Sequence, residues 1–150
     1  MRMTAIRTTG LLAGPALALA LGCSNTPMVP NTTLVCNIAD IPALQLLYPI
    51  PGATGVPTAA GSLVFAGAPD ASLTVLLSES GTTVTLGAPV VAPSPLPSPI
   101  ATPSPIASGL SSAPYPSLAP ATTYRVSYEL TGTTGPCAHV LVSPGSFTTQ

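Results

Sequence analysis

The sequence predicts an all-β domain, and three observations indicate this fold class. From residue 39 onward, short apolar runs recur between Gly and Pro residues, a pattern typical of strands joined by turns. Residues 122–130 alternate apolar and polar side chains, as a strand does when one face is buried and the other meets water. The one helical candidate, residues 39–47, contains Pro42, which limits a helix to about one turn. The 150 residues allow a single domain.

Short apolar segments between turn residues are predicted to be the strands. Period-two alternation puts Leu73, Val75 and Leu77 on one face of the third segment. In the fourth segment, we expect Val84 and Leu86 to face the core. The last two segments close the domain as one strand or two. In chain order the segments are residues 46–49, 62–66, 72–77, 82–86, 122–130, 138–142 and 146–149.

The fifth of these segments, residues 122–130, carries the strongest strand signal. Its wet face carries Arg125 and Glu129, whose opposite charges lie on the same side of the strand. We expect a surface ion pair there, worth at most about 1 kcal/mol. Its apolar face consists of Tyr124, Val126, Tyr128 and Leu130.

Residues 87–107 differ in composition from the rest of the domain. Seven of these 21 residues are Pro, in a near-repeat of Pro-Ser-Pro units, and Pro cannot donate the hydrogen bond that a central strand needs. The segment therefore favours polyproline II, either as a recognition or glycosylated stalk or as a solvated insertion in a surface loop. We expect the solvated loop. The fold should not need residues 92–106, because Leu96, Ile100 and Ile106 are too few for a core layer.

The amino terminus has the pattern of an export signal. Arg2 and Arg7 give a positive start, and residues 11–21 form an apolar run shorter than the roughly 20 residues that span a bilayer. Residues 20–23 then read Ala-Leu-Gly-Cys. This motif resembles the lipobox of bacterial lipoproteins, which implies cleavage before Cys23 and a lipid anchor on that residue. An ordinary cleaved signal peptide is the alternative interpretation.

The lipobox resemblance, the Pro-punctuated polar stretch after it and the strand pattern together predict three parts of the chain. Residues 1–22 would be a lipoprotein signal peptide, residues 23–38 a tether, and residues 39–150 the β domain. The membrane would then be a partner of the chain through the lipid on Cys23. We expect an exported protein held at the cell envelope, on the outer membrane if the organism has one.

The two remaining cysteines, Cys36 and Cys137, are predicted to form a disulfide. An even pair of Cys in an exported chain favours a bridge. The alternative is a reactive thiol, for which His139 is the only cationic residue near Cys137 in sequence.

Three pieces of the chain occur together in a recognisable order. They read Tyr-Pro-Ile-Pro-Gly-Ala-Thr-Gly-Val-Pro at residues 48–57, Leu-Ala-Pro-Ala-Thr-Thr-Tyr-Arg-Val at 118–126, and Gly-Ser-Phe-Thr-Thr at 145–149. Together they resemble the bacterial Ig-like domains of surface and exported proteins. The resemblance spans residues 48–149 and implies an Ig-like antiparallel β-sandwich. Residues 87–107 would be a Pro-rich loop inserted in that fold.

The second of these pieces also has a physical interpretation of its own. Pro120 fixes the backbone before the strand, and Leu118 can fill the end of the core. The Tyr124 ring can be buried while its hydroxyl reaches a backbone group a few residues upstream, as in the tyrosine corner of β-sandwiches. We therefore assign Leu118, Pro120 and Tyr124 a structural role.

The charge content excludes several classes of function. The whole chain has three Arg and no Lys, so it lacks both the basic patch of a nucleic-acid-binding protein and a phosphate loop ending in Gly-Lys. A zinc site needs three or four ligands, and Asp70 and Glu79 are too few for calcium, which usually takes six or more oxygens. We predict no catalytic residue, no metal site and no cofactor.

Two functions are compatible with this sequence. We expect a non-catalytic, lipid-anchored module of the cell envelope with a structural, adhesive or assembly role, whose sheet edges can pair with another strand. The alternative is a small ligand-binding lipoprotein that captures a carbohydrate or a peptide through the loops at one end. The sequence does not identify the protein or glycan partner.

Overall fold

Eight strands and one short helix make up the described part of the chain. The computed structural model describes residues 35–105, 108–131 and 134–150. A single-turn 3-10 helix, Ile38–Asp40, precedes the strands and is capped by the side chain of Asn37. The strands are β1 (Gln45–Tyr48), β2 (Gly61–Ala66), β3 (Leu73–Glu79), β4 (Thr82–Gly87), β5 (Val90–Val91), β6 (Leu110–Tyr115), β7 (Thr123–Leu130) and β8 (Val142–Thr148).

The strands form two antiparallel sheets that pack face to face. The first sheet has the order β1-β2-β6-β5, and the second has the order β4-β3-β7-β8. The predicted all-β sandwich is thereby confirmed. The core between the sheets is built from alternate residues of both, as one-sided strands require. Its largest members are Leu46, Leu63, Phe65, Leu73, Val75, Leu77, Tyr124, Val126, Tyr128 and Phe147.

Most of the predicted strands are confirmed, but the closing one begins elsewhere than expected. The predicted strand at 138–142 is wrong, because Ala138 makes only an isolated bridge to Leu130 and β8 begins at Val142. β8 runs through Pro144 and Gly145 without ending there. Pro is tolerated because β8 lies at the edge of the second sheet, where one side of its backbone has no strand to bond.

Val84 of β4 lies on the core-facing side of its strand, as predicted, but it is not buried. Val84 lies opposite the buried Leu77, yet 42% of its surface is exposed. The reason is that β4 is an edge strand, so the core ends beneath it. Leu86, farther along β4, packs partly against the core.

The sequence analysis missed β5 and β6. β5 lies inside the segment expected to be a loop, and β6 is flanked by β2 and β5 in the first sheet. Pro114 in β6 is accommodated because β5 pairs only with Ser111 and Ser112, leaving that side of Pro114 without a strand. Small residues at β6 positions give no apolar alternation, which is why the strand has a weak sequence signal.

The Pro-rich segment is not a solvated loop, so that expectation is wrong. Leu96 and Ile100 pack on a second apolar cluster, formed by the fully buried Leu47, Val64 and Ala66 on the outer face of the first sheet. Leu47 lies on that face because it alternates with Leu46, which faces the core between the sheets. An apolar outer face must be covered, and this segment covers it.

Hydrogen bonds hold the Pro-rich segment to β1. The Ala101 amide donates to the Leu47 carbonyl at 2.9 Å. The Gln45 side chain donates to the Thr102 carbonyl at 3.2 Å and accepts from the Ser104 amide at 2.6 Å. The segment therefore satisfies part of the edge of the first sheet as well as covering its face.

The predicted disulfide is confirmed. Cys36 and Cys137 are bonded, with their Cα atoms 4.6 Å apart, inside the range of 4.4–6.8 Å that disulfides usually show. The bridge attaches the end of the predicted tether to the connection between β7 and β8. The predicted signal peptide, Cys23 and the tether up to residue 34 lie outside the described residues. Among the described residues, no helix is long and apolar enough to cross a membrane.

Candidate functional site

The residues at the start of β7 form a structural corner. The Tyr124 hydroxyl accepts a hydrogen bond from the Ala119 amide at 2.9 Å, the upstream contact that the sequence leads us to expect. The Tyr124 ring stacks on Phe147 with their centroids 5.7 Å apart. Burial raises the pKa of Tyr124, and the nearby Glu79 carboxylate raises it further. Tyr124 therefore stays a neutral hydrogen-bonding group at physiological pH.

The other two corner residues also have structural contacts. Leu118 packs partly against the core, and its amide donates to the Thr58 carbonyl at 2.8 Å. The Pro120 carbonyl accepts a hydrogen bond from the Thr122 hydroxyl at 2.8 Å. These contacts explain Leu118, Pro120 and Tyr124 without a functional role.

Two of the four sheet edges are covered by other parts of the chain. Beside β8, the Gly52 amide donates to the Ser146 carbonyl at 2.7 Å, and the Thr148 amide donates to the Ala53 carbonyl at 2.8 Å. The Pro-rich segment bonds to β1 in the same way, through the Ala101 amide. Covered edges cannot accept a further strand at those positions.

The remaining edges, β4 and β5, make up what we call the open edge. The two strands follow one another in the chain, and residues 82–91 contain no charged side chain. Valine side chains are exposed along them: Val84 by 42%, Val90 by 53% and Val91 by 76%. Among the described residues, no backbone hydrogen bond reaches the outer side of β4. Natural edge strands are usually guarded by charge, Pro or a cover, and β4 has none of these.

A polar groove of about 560 Å³ lies over the outer face of the second sheet. We call it the Arg125 groove. Strand register places Ser78 of β3 and Ser146 of β8 directly beside Arg125 on β7. The groove is lined by Ser78, Glu79, Ser80, Gly81, Thr123, Arg125, Ser127, Leu141, Ser143 and Ser146.

The expected ion pair between Arg125 and Glu129 is not formed, and the expectation is wrong. In the described part of the chain the one close contact between an acidic and a basic side chain joins Glu129 to His139, with Oε2 and Nδ1 3.4 Å apart. His139 belongs to the turn that contains Cys137. Its position in the sequence does not by itself predict that this turn returns to β7. Arg125 is thus left facing the groove without a carboxylate within 4.0 Å among the described residues.

Several groove side chains already make hydrogen bonds to one another or to the backbone. The Ser78 hydroxyl lies 3.0 Å from that of Thr83, and the Ser143 hydroxyl donates to the Val126 carbonyl at 2.9 Å. Glu79 differs, because it lies on the same side of β3 as the core residue Leu77 and its Oε2 is buried, so that this oxygen does not face the groove. The groove therefore combines one unpaired guanidinium with a set of hydroxyls.

Residues with potential for catalysis or metal binding do not come together. Ser111 is fully buried in β6 and His139 is exposed at the disulfide turn. Asp70 and Glu79 stand at opposite ends of β3, and Asp70 instead accepts from the Ser72 amide and hydroxyl, which lower its pKa. Within residues 35–105, 108–131 and 134–150, no group of three or more His, Cys, Asp or Glu could hold a metal ion.

Comparison of the chain with protein-family models, with curated proteins and with solved structures finds no match. The open edge and the Arg125 groove are therefore the two features from which a function can be argued. The sequence analysis missed both. The uncharged run at residues 82–91 was the available signal for the first, and the single Arg after residue 7 was the signal for the second.

Proposed function

We propose that this protein is a non-catalytic, Ig-like module of the bacterial cell envelope that assembles with a second copy through its open edge. The observation that carries the proposal is the asymmetry of the edges. β1 and β8 are covered by other segments of the chain, whereas β4 and β5 are left bare, uncharged and flanked by exposed Val. An exposed edge of this kind is a template for another strand.

The strand order supports the Ig-like part of the proposal. The orders β1-β2-β6-β5 and β4-β3-β7-β8 correspond to A-B-E-D and C′-C-F-G in the Ig fold. Tyr124 also lies where a tyrosine corner is found, near the start of the strand that corresponds to F. The chain departs from antibody domains in its disulfide, which joins Cys36 and Cys137 and does not link the B and F strands.

Export and lipid anchoring complete the proposal. The Cys36–Cys137 disulfide favours an oxidising, extracytoplasmic compartment. A lipid on Cys23 would hold every copy at one membrane surface. Copies confined to a membrane meet at high effective concentration, so that even a modest edge contact assembles them.

A second copy suits the open edge better than an unrelated strand does. Two β4 strands can pair antiparallel about a two-fold axis near Val84, which makes the contact self-complementary. Because residues 82–91 carry no charge, like charges do not oppose each other across that axis. The pairing would join two four-stranded sheets into one of eight strands and shield the exposed Val84 of each copy.

Sedimentation of the full chain in detergent tests the assembly. We expect a monomer–dimer equilibrium that Val84→Lys shifts to monomer, because a charge on an edge strand opposes pairing. The matched control is Thr134→Lys, which adds the same charge in the connection between β7 and β8. A wild-type chain that stays monomeric at all concentrations, or a dimer equally lost in both variants, would contradict the proposal.

The second candidate function is capture of a ligand, as expected for a small binding lipoprotein. The observation that favours it is the Arg125 groove, which lies on a sheet face and not in the loops at one end. Assembly uses the β4 edge of the second sheet and capture uses its outer face, so the two functions can coexist.

A further inference from the structure

The position of Arg125 in its sheet makes the groove unlike an ordinary wet sheet face. Arg125 lies on β7, which has β3 on one side and β8 on the other. Its cross-strand neighbours on the same face are Ser78 and Ser146. Neighbouring strands are about 4.8 Å apart, so a Ser side chain stands on each side of the Arg125 side chain where it leaves the sheet.

Arg125 is the one Lys or Arg in the chain after residue 7. The chain as a whole has a formal net charge of −1, so a ligand attracted to this face must be attracted locally. A guanidinium presents a planar fork of donors that matches a carboxylate in two parallel hydrogen bonds. The groove therefore calls for a ligand with an anionic group.

The remaining lining calls for a ligand rich in hydroxyl groups. Ser and Thr side chains both donate and accept, and sugar hydroxyls do the same. Leu141, 61% exposed at the groove, offers an apolar contact for the C–H face of a sugar ring.

A peptide fits this face less well than a saccharide. Extended peptides bind sheets by adding to a free edge, where backbone groups are unpaired. β7 is paired on both sides, to β3 and to β8. Its backbone N–H and C=O groups at the centre of the groove are therefore not free to bond a peptide strand. Recognition there depends on side-chain hydroxyls and one charge.

We propose that the Arg125 groove binds an acidic saccharide of the uronic-acid class, with the sugar carboxylate on Arg125 and sugar hydroxyls on the neighbouring Ser side chains. The inference rests on the second candidate function, ligand capture, and names its ligand class. It does not depend on assembly through the open edge. Because the groove is open to water, we expect binding to weaken steeply as salt is raised.

Calorimetric titration of the full chain in detergent tests this ligand class with two probes, trigalacturonate and a hyaluronan tetrasaccharide. The neutral control of matched length is galactotriose. We expect at least one acidic probe to bind, and Arg125→Gln to weaken it about tenfold, the usual effect of losing a hydrogen bond to a charged group. Arg125→Lys keeps the charge but loses the planar fork of donors. Its affinity for the acidic probe should therefore fall between that of the wild type and that of Arg125→Gln.

Two further variants separate binding from folding and from assembly. An unchanged melting temperature of Arg125→Gln shows that the fold is intact, because the side chain is exposed. Val84→Lys should bind the acidic probe as the wild type does, whatever its oligomeric state. The proposal is overturned if neither acidic probe binds, if galactotriose binds equally well, if Arg125→Gln has no effect, or if an acidic peptide binds more tightly than both saccharides.

Discussion

The Pro-rich segment provides a demanding test of the packing described above. Leu96 and Ile100 are its contacts with the outer cluster of Leu47, Val64 and Ala66. The double change Leu96→Ser and Ile100→Ser keeps the backbone and its Pro residues but removes the apolar cover. If the segment were a solvated loop, the change would be almost neutral.

The expected cost follows from what the cover buries. Leu47 and Val64 are fully buried, and burial of such a side chain is worth about 1.5–3 kcal/mol relative to full exposure. The two Ser changes uncover these residues only in part, and Leu96 and Ile100 are themselves only partly buried. A loss of about 2–4 kcal/mol in the free energy of unfolding is therefore expected.

Urea unfolding at equilibrium, with the disulfide intact, measures this cost. The control is Val91→Ser in β5, because Val91 is 76% exposed and its loss should change stability by less than about 0.5 kcal/mol. A double variant that unfolds within about 1 kcal/mol of the wild type would refute the argument. The segment would then be a dispensable loop, and the outer cluster would contribute little.

Four further outcomes test other parts of the structure. Tyr124→Phe should cost about 1–2 kcal/mol on thermal or urea unfolding, because it leaves the upstream amide without its acceptor. Ser111→Ala should stabilise by up to about 1 kcal/mol in the same assays, since the Ser111 hydroxyl is buried without a partner among the described residues. Reduction of the disulfide, which closes a separation of 101 residues, should cost on the order of 4 kcal/mol and lower the melting temperature. Cys23→Ser should abolish acylation and move the protein from the membrane to the soluble fraction; an unacylated wild type by mass spectrometry would contradict the lipobox interpretation.

The features predictable from the sequence are those whose cause is local. Residues 123–130 alternate strictly, so β7 follows from period two alone. The pairing of Cys36 with Cys137 follows from counting the two cysteines that remain once Cys23 is assigned to the predicted lipobox. The hydroxyl contact of Tyr124 depends on residues only five positions away.

The features that sequence could not supply depend on contacts between distant segments. β6 reads Leu-Ser-Ser-Ala-Pro-Tyr, which lacks alternation and contains a Pro, and it is a strand because β2 pairs with it along its whole length. The outer cluster is buried because the distant Pro-rich segment lies over Leu47 and Val64, and no local pattern predicts that cover. Likewise, Glu129 pairs with His139 because the disulfide turn brings His139 back to β7.

The open edge was equally hidden in the sequence. The uncharged residues 82–91 indicate an unguarded strand only after the topology has placed β4 and β5 at the edges. The alternation of polar and apolar residues over 83–86 is equally typical of an inner strand with one wet face. Because other segments of the chain cover β1 and β8, the lack of a cover on β4 and β5 distinguishes these two edges.

Amide hydrogen exchange across β4, measured by mass spectrometry at several protein concentrations, tests the central claim most directly. If two copies pair along this strand, the amides of Thr82–Gly87 that face away from β3 should exchange more slowly as concentration rises. The slowing should vanish in Val84→Lys and persist in Thr134→Lys. Exchange across β4 that is equally fast at every concentration would contradict assembly through the open edge.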